Sequence, residues 1–171
     1  MHTLPPPLLA ALPAPYQLRL QHDGDDAFAA ALYSATRDDL RQMQAEPALI
    51  EELIAMQRRM QSHGYRQHFP QAAYLVLLYG DSPIGRLVIE QREQALRVVD
   101  IAVLPEARGR GAGSAVLRCL QSLAEAQQLQ IHLGVNRNNL AARKLYLRLG
   151  FQVQAEDQVQ EQLVWRAARC H

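Results

Sequence analysis

Cysteine, lysine and excess charge are all scarce in this sequence, and each scarcity removes a class of protein. The two cysteines, Cys119 and Cys170, stand outside any C-x-x-C pair, so neither a disulfide framework nor a paired-thiol motif is available. Cys119 falls inside a helical pattern, where a buried inert thiol is the expectation. Lys144 is the lone lysine among 18 basic side chains. Those 18 face 17 acidic ones, for a formal charge of +1, which offers no basic footprint for nucleic acid. No apolar run approaches the ~18 residues that cross a bilayer. The Pro-rich start (Pro5, Pro6, Pro7, Pro13, Pro15) lacks the positive segment that opens a signal peptide. A cytoplasmic protein is expected, monomer or homodimer, with no membrane and no nucleic-acid partner. The six histidines are scattered, with no i, i+4 pair beside a carboxylate, so no metal is expected.

What is present is core-forming material. Hydrophobic residues make up 49% and charged residues 20% of the 171 positions, the profile of a folded globular chain. A chain of that length buries roughly two-thirds of its unfolded surface. Residues 1–14 read as a poorly ordered leader, because proline blocks helix and ladder hydrogen bonds; residues 15–171 read as a single domain. Tyr16, Leu18 and Leu20 alternate as a strand. Helical spacing runs from Asp25 to about Met43, with Phe28, Leu32 and Tyr33 on one side. Pro47 opens a second helix whose buried stripe is Ile50, Leu53, Ile54 and Met60. Gly64 and Pro70 bracket an aromatic, basic connector from Tyr65 to Phe69.

Two strand runs, Ala73–Tyr79 and Ile84–Glu90, flank a Gly80-Asp81-Ser82 turn and predict a hairpin. Leu96–Leu104 is a third, β-branched run. A helix over Gly113–Gln128, a strand over Ile131–Val135 and a helix over Asn139–Leu149 closed by Gly150 follow. Phe151–Gln154 and Gln162–Trp165 supply two last strands. The order β-α-α-β-β-β-α-β-α-β-β has no internal repeat and no linker, and reads as one mixed α/β layered structure.

The chemistry concentrates between Val98 and Ser114, where a buried strand feeds a glycine-rich turn and then an amphipathic helix. A helix start carries unpartnered N–H groups and partial positive charge. Gly109, Gly111 and Gly113 allow close backbone approach, and Arg108 and Arg110 add charge. Phosphate or pyrophosphate is the ligand such a turn prefers. Two familiar phosphate motifs are excluded: there is no Gly-Lys-Ser/Thr, and the glycines miss the G-x-G-x-x-G spacing. Nor does an acidic residue stand about 20 residues on for a ribose hydroxyl; Gln127, Gln128 and Gln130 occupy that neighbourhood.

A second constellation follows the strand Ile131–Val135: Asn139, Ala142, Leu145, Tyr146, Gly150 and Phe151, in the order N-x-x-A-x-x-L-Y-x-x-x-G-F. Arg108-x-x-Gly111-x-Gly113 resembles the Q/R-x-x-G-x-G/A signature of the GNAT family of N-acetyltransferases. The second constellation resembles that family's following strand and helix, and together they cover roughly residues 73–166. The resemblance implies a central, mostly antiparallel twisted sheet of about seven strands, splayed between the fourth and fifth and flanked by four helices. It implies acetyl-CoA as cofactor and a small-molecule or peptide amine as acceptor, acetylated by direct attack in a ternary complex.

Carried over residue by residue, the resemblance assigns the pantetheine arm to the main chain of Ile101, Ala102 and Val103, as a pseudo-strand on an open edge. Pyrophosphate falls to the amides of Arg108, Gly109, Arg110, Gly111, Ala112, Gly113 and Ser114. Asn139 lies near the cofactor arm and is equally a helix N-cap. Tyr146 matches a tyrosine that protonates or hydrogen-bonds the leaving thiolate. The general base stays open. Glutamates that some relatives carry are replaced by Arg97 and Gly134, which leaves Asp100, Glu90, His63, His68 or ordered water. Tyr33, Arg37, Tyr65 and His68 are the expected substrate wall, with Arg37 or Arg66 available to a substrate carboxylate. The missing glutamates also admit a non-catalytic acyl-CoA binding module.

Overall fold

The computed structural model describes residues 12–168; positions 1–11 of the expected leader, and Cys170, lie outside the described residues. Seven strands form one sheet in the order β1-β2-β3-β4-β5-β7-β6. They are β1 (Tyr16–Leu20), β2 (Ala73–Tyr79), β3 (Ser82–Gln91), β4 (Ala95–Val103), β5 (Gln130–Asn136), β6 (Gln152–Glu156) and β7 (Gln160–Trp165). Four longer helices flank it: α1 (Asp26–Ala35), α3 (Pro47–His68), α4 (Ala112–Gln127) and α5 (Leu140–Arg148), with a one-turn α2 (Asp38–Arg41) between the first two. The mixed α/β architecture and the mostly antiparallel sheet of seven strands agree with the sequence expectation.

Period-two alternation divides the sheet into two buried faces. Leu75, Leu77, Leu87, Leu96, Ile131 and Leu133 pack on Val116, Leu117, Leu120 and Ala124 of α4. Each such leucine, fully buried, stabilises the fold by about 1.5–3 kcal/mol before chain entropy is counted. On the opposite face Val76 and Val88 are buried, as are Ala29 and Leu32 of α1 and Ile50 and Ile54 of α3.

The early helices differ from their expected limits. The Asp25–Met43 helix breaks at Thr36, whose Oγ1 donates to the Tyr33 carbonyl at 2.7 Å, and Arg37 leaves helical geometry at φ −113° and ψ 33°. Hydroxyl-to-carbonyl bonds of this kind compete with the helix ladder. Gly64 does not end α3, which continues to His68; the expected connector is its last turn. Met60 is 64% exposed, off the buried stripe.

Among the described residues, β4 and β5 carry the one parallel pairing. It runs from Ala95↔Gln130 to Val98↔Leu133 and stops there. Beyond it, residues 99–103 of β4 keep β3 on one side only, while Gly134–Asn136 of β5 pair with β7. The sheet is open along that seam.

Candidate active site

The seam leads to a cavity of about 160 Å³ lined by residues 98–101 of β4, residues 133–136 of β5, Asn139 and Tyr146. A larger hollow of about 370 Å³ on α3, around Leu49, Leu53 and Met56, shares none of these residues.

A residue's N–H and C=O point the same way in a strand and alternate along it. Leu104 N–H donates to Ile84 on β3, so Val103 and Ile101 face the open edge, while the main chain of Ala102 faces β3. The Val103 carbonyl already accepts a bond from Arg108 Nε at 2.9 Å. The Arg108 side chain therefore folds back onto the strand end instead of pointing into the turn. The turn itself is left-handed at Gly109 (φ 78°) and Gly111 (φ 85°), a conformation that favours glycine. A Cβ at either position would meet nothing within 4 Å. Gly109, Arg110 and Gly111 are exposed and open onto the first turn of α4, where Ala112, Gly113 and Ser114 leave N–H groups without helical partners. Tyr16, which the sequence reading did not select, donates its hydroxyl to the Arg110 carbonyl at 3.1 Å.

Tyr146 projects from α5, 7% exposed, with its ring 5.8 Å from that of Phe151. Burial first, and then the charge of Asp100, push its phenol up to about 12. Asn139 both lines the cavity and caps α5, its Oδ1 accepting from Ala142 N at 3.2 Å. Asp100 lines the cavity as well. Its Oδ2 accepts from Arg86 Nη2 at 2.6 Å and from Arg86 Nε at 3.1 Å.

The C-terminal half of α3 packs on Arg86. Arg86 lies 5.9 Å from the centroid of the Tyr65 ring, and Gln61 Oε1 accepts from its Nη2 at 3.3 Å. Burial, then Asp100, raise the Tyr65 phenol, to which Tyr33 also contributes. Asp100 and Tyr146 thus line one cavity, and Arg86 joins Asp100 to the Tyr65 ring. His68 is exposed on the final turn, and Arg37 faces Asp39 at 3.5 Å. Arg86, missed in the sequence, was signalled by one charge inside an apolar strand run.

Among the described residues no group of three His, Cys, Asp or Glu could hold a metal ion. No described helix is long and apolar enough to cross a membrane. Cys119 is buried in α4, and burial raises its thiol.

A sequence model described as the acetyltransferase (GNAT) family matches residues 30–151. Among solved structures, the chain is similar to the PaiA N-acetyltransferase of Thermoplasma acidophilum in complex with coenzyme A. The TM-score is 0.66 at 14% identity, over 89% of this chain and 99% of that one. A GNAT family acetyltransferase of Elizabethkingia anophelis with acetyl-CoA bound gives 0.60 at 13%, over 91% and 100%. The ribosomal-protein-S5-alanine acetyltransferase of Vibrio fischeri gives 0.58 at 21%, over 88% and 92%.

Proposed function

Because this chain belongs to the acetyltransferase (GNAT) family, an enzyme class that draws its acetyl group from acetyl-CoA, we propose that it acetylates a primary amine. The acceptor is a small molecule or the amine of a peptide, and it attacks directly in a ternary complex. The observation that carries this reading is the unpaired edge of β4, followed after one short turn at Pro105–Ala107 by the left-handed glycines at the start of α4.

The groups present fit the cofactor. Outward main-chain groups at Ile101 and Val103 suit an arm bearing amides, as a strand added to an edge. The exposed backbone of Gly109, Arg110 and Gly111 and the first-turn N–H groups of Ala112, Gly113 and Ser114 suit a pyrophosphate at a helix start. When bound, acetyl-CoA supplies an activated acyl carbon with a thiol leaving group.

The chain's own residues then have separate tasks. Tyr146, protonated throughout the neutral range, donates a hydrogen bond to the sulfur as the C–S bond breaks. Asn139 holds the start of α5, and with it the Tyr146 ring, against the seam. Asp100 accepts a hydrogen bond from the incoming amine. Two Arg86 donors hold one of its oxygens in place, and the amine loses its proton to water before attack. Tyr65 and Tyr33 wall the acceptor side. Arg37, held by Asp39, and His68, exposed on the last turn of α3, complete the acceptor wall.

Release of free thiol from acetyl-CoA, followed with a panel of primary amines, tests the proposal. Amine-dependent release is expected. Tight coenzyme A binding with no release on any amine would favour a non-catalytic acyl-CoA binding module, a reading supported by Arg97 and Gly134 standing where relatives carry glutamates.

A further inference from the structure

Six described arginines are not surface-exposed. Five have a carboxylate within reach: Arg19 faces Asp25, Arg37 Asp39, Arg58 Asp26, Arg86 Asp100 and Arg143 Glu161. The sixth, Arg97, has none within 4 Å, because Glu90, its register partner on β3, accepts instead from Arg92 and the Gln71 N–H. Its Nη1 donates to Gln162 Oε1 at 3.2 Å, its Nε is buried without a partner, and its guanidinium lies 6.0 Å from the centroid of the Phe69 ring. Burial, and then the nearby Arg92 charge, disfavour its charged form. Arg92 does not share this condition, because Glu90 accepts from it at 2.9 Å. An unpaired guanidinium in such surroundings is costly unless an anion joins it.

Its position says where that anion would come from. Nη2 of Arg97 lies 3.5 Å from the point where a Cβ on Gly134 would sit, and Gly134 lines the cavity. The missing side chain at Gly134 leaves the guanidinium and the Gln162 amide that it holds, at 3.2 and 3.3 Å from the same point, against the cavity wall. Arg97 and Asp100 also share a face. Val88 pairs with Asp100 and Ile89 with Val98, so Val99 forms a bulge, and a bulge resets the strand's alternation. Asp100 then meets Arg86 beside Tyr65, while Arg97 meets Phe69. Tyr65 and Phe69 are four residues apart on α3, roughly 6 Å along the axis. One carboxylate and one unpaired guanidinium therefore stand about a helical turn apart on the acceptor side.

Resting on the acetyltransferase reading above, we propose that Arg97 binds a carboxylate of the acceptor. The substrate is an amino-acid-like amine whose ammonium or amine nitrogen lies at Asp100. Guanidinium recognition of a carboxylate is strong and planar. A polyamine, with a second cation where the carboxylate should be, is rejected by the same group.

The test is calorimetric titration of the full chain saturated with coenzyme A, using glycine, β-alanine and γ-aminobutyrate, each beside its own carboxamide. At least one acid should bind about 10-fold or more tightly than its amide, the loss expected for one charge-assisted hydrogen bond. Arg97→Gln should erase that preference while coenzyme A affinity stays within about 2-fold of wild type, and Arg97→Lys should restore part of it. Acids and amides binding alike, neither series binding, or a preference that survives in Arg97→Gln would each overturn the assignment. If Arg97→Gln does not fold, Arg97→Lys and the wild-type acid-to-amide ratio still decide it. Failure of coenzyme A itself to bind would instead overturn the acetyltransferase reading.

Discussion

Arg86 places two N–H donors on a single oxygen of Asp100, at 2.6 and 3.1 Å. The carboxylate is thereby fixed and its negative charge is kept beside the Tyr146 phenol, which it helps to hold protonated.

Asp100→Asn is expected to lower turnover about 10-fold at neutral pH, the value of one charge-assisted hydrogen bond to the amine. Its pH–rate profile should keep the acidic limb, because that limb belongs to the amine itself. Disappearance of the limb would make Asp100 the base. The alkaline limb should move to lower pH. Tyr146 must stay protonated to serve the sulfur, and removing a neighbouring negative charge lowers its pKa from about 12.

Tyr146→Phe should reduce kcat by about 10- to 100-fold with coenzyme A affinity unchanged, since the hydroxyl is used only as the thiolate departs. The ring contact with Phe151 survives the change. Equal turnover in the variant would leave Tyr146 as packing.

Gly111→Glu should abolish coenzyme A binding in a titration, while circular dichroism remains that of wild type. A side chain there meets no protein atom within 4 Å, so space alone does not unfold the turn. Gly111→Ala separates backbone strain at φ 85° from charge and should bind measurably. Unchanged affinity in the glutamate variant would remove pyrophosphate from this turn.

Tyr16→Phe deletes the hydroxyl that donates to the Arg110 carbonyl. The peptide unit is planar and trans, so anchoring that carbonyl aims the Gly111 N–H in the opposite direction. Coenzyme A affinity should weaken by about 3- to 10-fold, the range for one hydrogen bond, with kcat at saturating cofactor unchanged. An altered kcat with intact affinity would contradict this positioning role.

Local chemistry is legible in the residue order. The hairpin around Gly80-Asp81-Ser82, the strand–glycine–helix passage through Gly111 and the Asn139 cap all depend on near neighbours in the chain, and all appear. Residue order misleads where two local signals compete. Gly64 suggests a break, yet α3 passes through it, because a helix interior tolerates an isolated glycine at a cost of about 1 kcal/mol. Thr36 suggests nothing special, yet its hydroxyl ends α1.

Residue order alone therefore sets the elements, the buried stripes and the anion-accepting turn, since hydrogen bonds over a few residues and period-two or period-3.6 burial decide them. It does not set which distant groups meet. Tyr16 reaches Arg110 across 94 positions, and the Val99 bulge puts Arg97 and Asp100 on one face although a regular strand would separate them. Pairing register and sheet opening determine those meetings. They follow from how whole strands pack, a property no short window of sequence contains.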